Sequence, residues 1–195
     1  MEVPEQEEFV MKSFRTLLAI CAMAIGLGAS AASAADFPAI KSPVLVTSIG
    51  QSPDCNTVKV LAKKAKLKDI TYNPMATADD LDGQNTLLVT VGVSHKGFGV
   101  AGVNLDTETA RSNALLDAAK AKNIPVILIH IGGVEGREAM SQKMLDVVTP
   151  KGDAFLVYAE GNGDGYFDKM ADGKPLIAVE KPIKLIGVFK EYAAE

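Results

Sequence analysis

Four continuous apolar runs recur along the chain at regular intervals: "PVLVTSIG" (43–50), "NTLLVTVGV" (85–93), "PVILIHIGG" (125–133) and "AFLVYAE" (154–160). They are short, rich in β-branched residues, and do not alternate apolar with polar. Strands that are apolar on both faces belong to a parallel sheet covered by helices on each side. The stretches between them have helical spacing. Over 53–67, Val58, Leu61, Ala62 and Ala65 fall on one face and the lysines on the other, with Ser52 or Asp54 as cap and Pro53 near the first turn. Over 106–122, a cap at Asp106 and an acid close behind it precede Ala110, Ala114, Leu115 and Ala118 at helical spacing.

The same pattern predicts a short strand at 70–76, a helix at 135–148, a short helix near "YFDKMADG", a last strand at 176–180 and a terminal helix from about Pro182. Strand and helix alternate throughout. With right-handed crossovers this yields an α/β fold, a three-layer α/β/α sandwich on a mostly parallel five- or six-stranded sheet. So short a first half favours the flavodoxin-like order 2-1-3-4-5 over a full Rossmann-like dinucleotide fold.

Composition changes the picture mainly at the N-terminus. "MKSFRTLLAICAMAIGLGASAASA" (11–34) reads as a secretory signal: Lys12 and Arg15 form a basic region, Leu17 to Gly28 an apolar core, and Ala32-Ser33-Ala34 a cleavage site. The apolar core falls short of the roughly 20 residues that span a bilayer, so removal is expected, with no membrane insertion afterwards and a periplasmic or secreted destination. The acidic "MEVPEQEEFV" ahead of it suggests a start at Met11 rather than Met1. Cys21 raises lipidation, but Ile20 stands where a lipoprotein signal wants a small residue. Residues 1–34 are therefore expected to be extension and signal, and 35–195 a single domain. With 20 Lys and Arg against 24 Asp and Glu, no basic cluster and no tryptophan, the chain carries no electrostatic footprint for nucleic acid.

In such sheets ligands bind beyond the carboxyl ends of the strands, where the strand order reverses. Here that is between the 43–50 and 85–93 strands, at the loops "GQSPDCN" (50–56) and "GVSHKGFGVAGVN" (92–104), with "HIGGVEGRE" (130–138) beside them. Candidate ligand-binding residues are Gln51, Ser52, Asp54, Ser94, His95, Lys96, Gly97 and Arg137. The glycines would let backbone approach a ligand, or else merely serve turns. Neither nucleotide-binding glycine motif follows the first strand, "GFGVAG" (97–102) stands after the wrong one, and no cofactor is predicted. The helix N-terminus behind Gln51 and Ser52 offers N–H groups to an anion.

Both histidines, His95 and His130, end neighbouring strands, and Cys55 opens the helix after the adjacent one. Their convergence would give either a Cys–His pair with a lowered thiol pKa or a mixed His/Cys transition-metal site, with His95 and His130 as ligands, completed by a carboxylate such as Glu135. Otherwise each histidine is simply hydrogen-bonded at a strand end and Cys55 is a small buried side chain. "EGNGDGYFDKMAD" (160–172) partly matches a calcium loop, but Ala171 stands where the bidentate acid belongs, so a tight loop leading to a helix is expected. Arg137 and Glu138 suit either a ligand anion or an ion pair.

The segments "PVLVTSIGQSPD", "VKVLAKKA", "GVSHKGFGVAGVN", "IHIGG" and "GNGDGYFDKMA" together resemble a family of uncharacterised bacterial proteins, secreted and single-domain, known as a domain of unknown function. The resemblance spans nearly all of 42–192. It implies a Rossmann-like domain without an assigned activity, and supplies no catalytic residues. The expected function is an extracytoplasmic binding protein for a small polar or anionic ligand. Two alternatives stand beside it: a hydrolase or thiol enzyme using Cys55 or Ser94 with His95 or His130, and a non-catalytic accessory subunit with an envelope protein partner.

Overall fold

A computed structural model describes residues 36–194; the signal segment, the choice between Met1 and Met11, and Cys21 lie outside the described residues. Six strands form one parallel sheet: β2 (Val44–Ile49), β3 (Ile70–Tyr72), β4 (Thr86–Val91), β5 (Val126–His130), β6 (Ala154–Tyr158) and β7 (Leu176–Val179). Their spatial order is β3-β2-β4-β5-β6-β7, the flavodoxin-like order with a sixth strand added at the far edge. A separate pair, β1 (Ile40–Lys41) and β8 (Ala193–Ala194), lies parallel and joins the two ends of the domain. No sequence pattern announces it, because two-residue strands have no period to detect.

Because successive side chains on a strand point to opposite faces, each apolar strand feeds two cores. One holds Leu45, Leu87, Val89, Leu128 and Phe155 under α3 (Leu105–Ala121), α4 (Ala139–Val148) and α5 (Tyr166–Ala171). The other holds Val46, Leu88, Ile127 and Leu156 under α1 (Asp54–Lys64) and α6 (Leu185–Tyr192). This is the three-layer α/β/α sandwich.

Three helical expectations need correction. The segment 92–104 is not simply a loop: His95–Ala101 forms α2, with Ser94 as N-cap accepting from the Gly97 N–H and Gly102 closing it in the left-handed region (φ 66°). Phe98 is its buried anchor. Gly97 and Gly99 hide this helix from a propensity reading, since glycine disfavours helix interiors by about 1 kcal/mol. In α3 the buried face is Glu108, Ser112, Leu115, Leu116 and Ala119, a rotated phase from the expected Ala110, Ala114, Leu115 and Ala118. Two polar residues occupy its first turns, so an apolar-only reading misplaces the stripe. The expected helix at 135–148 is also divided, into a 3₁₀ turn (Glu135–Arg137) and α4, because Glu138 is extended (ψ 163°).

Glu108 has no exposed surface and sits where α3 meets the carboxyl end of β2. Its Oε1 accepts from the Gly50 N–H at 2.9 Å, Gln51 Nε2 at 3.0 Å and Arg111 Nη2 at 2.6 Å, and its Oε2 from Arg111 Nε at 2.9 Å. Arg111 donates onward to Ser48 O and Ala76 O, both at 2.6 Å. The pair thus ties α3 to the end of β2 and to the segment after β3. Burial pushes the Glu108 carboxyl up, but the Arg111, Gly50 and Gln51 hydrogen bonds and the Arg111 charge outweigh it and hold the group below its usual 4.5.

A buried pair offsets much of its own desolvation, yet losing one partner strands the other charge. Glu108→Gln is therefore expected to lower unfolding free energy by about 3–5 kcal/mol in urea titrations; a change below about 1 kcal/mol would contradict this account. The pH sign follows from the lowered folded-state value. The Glu108 contribution is fully present above the unfolded carboxyl's range and is lost as pH falls through the folded value, so the wild-type advantage over Glu108→Gln shrinks in acid.

Candidate functional site

The strand order reverses between β2 and β4, and the two loops there are bonded to each other. Gly50 (φ 93°) and Gln51 (φ 58°) turn the chain sharply after β2. The Ser94 N–H donates to Gly50 O at 2.8 Å, the Gly92 N–H to Ile49 O at 3.0 Å, and Gln51 pairs with Val93 as an antiparallel bridge. Gln51 is a non-glycine residue in the left-handed region, a conformation that persists only where its surroundings over-determine it. Its amide supplies that restraint, through Glu108 Oε1 and Pro74 O at 3.3 Å.

The glycines make this seam possible. A Cβ at Gly50 would lie 2.3 Å from Gly92 O, and one at Gly97 would lie 2.2 Å from Gln51 O. The close backbone approach anticipated for a ligand is, at these two positions, the approach of one loop to the other. The helix N-terminus behind Gln51 and Ser52 is likewise engaged. Pro53 has no N–H, Asp54 N–H donates to Ser52 Oγ at 3.2 Å, Cys55 N–H to Ser52 O at 3.4 Å, and Asn56 N–H to Pro53 O at 3.0 Å. The free donors expected there for an anion already have partners, and Asp54 adds a negative charge.

Arg137 is also committed. Nε and Nη2 donate to Gln142 Oε1 (3.2 and 3.1 Å), Nη1 to Gly161 O (2.9 Å), and Nη1 and Nη2 to the two Asp164 oxygens (2.7 and 3.0 Å). These bonds use all five guanidinium donors. The ion-pair alternative for Arg137 is the one realised, and the Arg137 bonds hold the Asp164 carboxyl down to about 2. The guanidinium also lies 4.3 Å over the Tyr166 ring. The 160–172 stretch is the tight loop expected: Asn162 Oδ1 accepts from the Phe167 N–H at 2.8 Å and its amide donates to Asp168 at 2.9 Å.

Cys55, His95 and His130 do not converge. Cys55 packs with Val46 and Leu88 in the α1–α6 core. His130 continues the face of Val126 and Leu128 and stacks at 5.3 Å on Phe167, in the opposite core, so the sheet separates the two. Burial pushes the Cys55 thiol up to about 11, against weaker lowering by hydrogen bonds to Thr90 and Tyr72. The helix N-terminus therefore does not yield a thiolate. His130 is 2% exposed; its Nδ1 meets Val91 O at 2.9 Å and its Nε2 meets Gly133 O at 3.3 Å. Glycines wall the ring, with a Cβ at Gly161 falling 3.2 Å from Cδ2 and one at Gly136 falling 3.4 Å from Cε1. Both ring nitrogens thus face carbonyl oxygens, so neither is directed at a metal. Glu135 stands exposed, and among the described residues no group of three or more His, Cys, Asp or Glu is placed to hold one.

His95 and Lys96 remain. Both are exposed in the first turn of α2, and neither has a hydrogen bond or ion pair among the described residues. The residues that sequence reasoning missed are Glu108 and Arg111. Extending the Ser112–Leu115–Ala119 spacing back one turn lands on Glu108, and opposite charges three residues apart at the start of a buried stripe are the available signal.

Two outcomes follow for the seam and for the thiol. Gly97→Ala is expected to destabilise by about 1–3 kcal/mol through the clash with Gln51 O, whereas Gly99→Ala, whose Cβ meets nothing within 4 Å, should stabilise α2 by up to about 1 kcal/mol; urea midpoints measure both. Cys55 should resist a neutral-pH thiol reagent in the folded protein and react fully after denaturation. Fast labelling of the folded state would contradict the neutral, buried thiol.

No curated protein matches the chain significantly. A family model does match, over residues 41–192, which is nearly all of the α/β domain and includes both switch-point loops. The chain belongs to the family described as Domain of unknown function (DUF6305).

Proposed function

We propose that this protein is a non-enzymatic, extracytoplasmic binding protein that takes a small polar or anionic ligand through side chains at the carboxyl edge of its sheet. The observation that carries the reading is the pair His95 and Lys96, exposed and unpartnered on a helix that is itself fixed in place. Ser94 caps that helix, Phe98 anchors it, and Gly97 presses it against Gln51. A rigid scaffold lowers the ordering cost of binding. The enzymatic alternative lacks an activated nucleophile: Cys55 is a neutral buried thiol and the Ser94 oxygen caps α2. Export rests on the signal-like segment 11–34 alone.

A protein partner is the second reading, favoured by Val100 on α2 and Val134 after β5. They are 83% and 62% exposed, at the same end of the sheet as His95 and Lys96.

Calorimetric titration with phosphate, sulfate and citrate, on the wild type and on His95→Ala/Lys96→Ala, tests the first reading. The expected result is binding by at least one anion, weakened about tenfold or more in the double variant, a loss near 1.4 kcal/mol. Absence of binding, or equal binding by the double variant, overturns it.

A further inference from the structure

Strand β7 ends the sheet and pairs only with β6. The Phe155 N–H donates to Pro175 O at 2.9 Å, which directs the backbone groups of Pro175, Ile177 and Val179 inward. With the strand's two-residue period, the N–H and C=O groups of Leu176 and Ala178 point outward. Neither residue's backbone has a partner on that side among the described residues. Sheets usually blunt such edges with charge or proline. The opposite edge, β3, is only three residues long, whereas the four residues "LIAV" carry no charge within the strand, its proline and charges standing just outside at Pro175, Lys174 and Glu180.

A groove of about 530 Å³ runs along this edge. It is lined by Leu176 and Ile177 of β7, by Asp168 and Ala171 of α5, and by Phe37 and Tyr192. Ala171 belongs to one core and Phe37 and Tyr192 pack on the other, so the groove straddles the exposed rim of the sheet. An added strand would lie there.

The geometry points to a second copy of this chain as the occupant, and we propose that β7 pairs with its own counterpart, antiparallel about a two-fold axis at Ile177. That register sets Leu176 opposite Ala178 of the other copy twice over, and these are the residues with outward backbone groups. It makes four new backbone hydrogen bonds and joins two sheets into one of twelve strands. Charge selects it further, because Lys174 of each copy then stands opposite Glu180 of the other. Lys174 Nζ donates to Pro150 O at 2.9 Å and Gly152 O at 2.7 Å, leaving its third N–H for the carboxylate. Glu180 is exposed and unpartnered among the described residues. Moving the centre by half a step, to between Ile177 and Ala178, would oppose Lys174 to Lys181 instead and turn outward groups against inward ones. The small side chain of exposed Ala178 lets the backbones approach.

Sedimentation equilibrium of the purified protein up to about 100 μM is the test. Wild type should form a dimer. Ala178→Pro removes an outward N–H that the monomer does not use and should leave a folded monomer by circular dichroism. Glu180→Lys should weaken the dimer about tenfold, since it opposes like charges twice, and Lys174→Glu/Glu180→Lys should restore it. Ile177→Cys reads the register directly: non-hydrogen-bonded partners have Cα atoms about 4.5 Å apart, within disulfide reach. Mild oxidation should therefore link Ile177→Cys chains and not Leu176→Cys chains, while the native Cys55 is buried. A wild type that stays monomeric, or a dimer indifferent to Ala178→Pro and to the charge variants, overturns the proposal.

Discussion

The contact on which the rest of this structure depends is the buried carboxylate of Glu108. An unpaired charge in a dry interior is among the most expensive things a fold can contain. Arg111, Gly50 and Gln51 must therefore all be in place around it. Their positions determine others. Gly50 held to Glu108 fixes the turn after β2, the turn fixes Gln51 in the left-handed region, and Gln51 fixes where α2 can lie. One satisfied charge thus specifies the geometry of three loops. Its worth lies in specificity of arrangement more than in net stability.

The strand order, layers and two cores were legible because each rests on a repeated physical signal. Apolar runs such as Leu87–Val91 can be buried on both faces only inside a covered parallel sheet, and the spacing of Val58, Leu61 and Ala62 leaves one helical face for α1. What was not legible depends on single partners distant in sequence. Gly97 lowers helix propensity, yet it is needed because Gln51 O lies where its Cβ would be. Glu108 looks like a solvated charge until the ends of β2 and α3 are brought together. Cys55 opens the helix after β2 and His130 ends β5, both at the carboxyl end of the sheet, and only the face that each element covers puts them in opposite cores.

Of the candidate site residues, most serve the fold rather than a ligand. Ser52 and Ser94 satisfy helix N-termini, Arg137 fastens the loop after β5 to the one after β6, and His130 bridges β4 to the glycine loop. Polar residue types at strand ends signal chemistry or architecture equally well, and only the inventory of donors separates the two. Among the described residues that inventory leaves His95 and Lys96 without partners, as it does the Asp54 and Glu135 carboxylates, and it is the first two that share a short helix whose position is fixed by the seam beneath it. The carboxyl edge of the sheet is thus rigid in its backbone and sparing in the side chains it offers.

Native-state hydrogen exchange at the Gly50 amide tests this account most directly, because that N–H points at Glu108 and at the seam together. If the seam is an integral part of the core, Gly50 exchanges with the same opening free energy as the amides of β4, close to that of global unfolding. If Gly50 exchanges through local opening, orders of magnitude faster than β4, the seam is a loosely closed pair of loops. The claim that Glu108 locks the switch point would then be wrong.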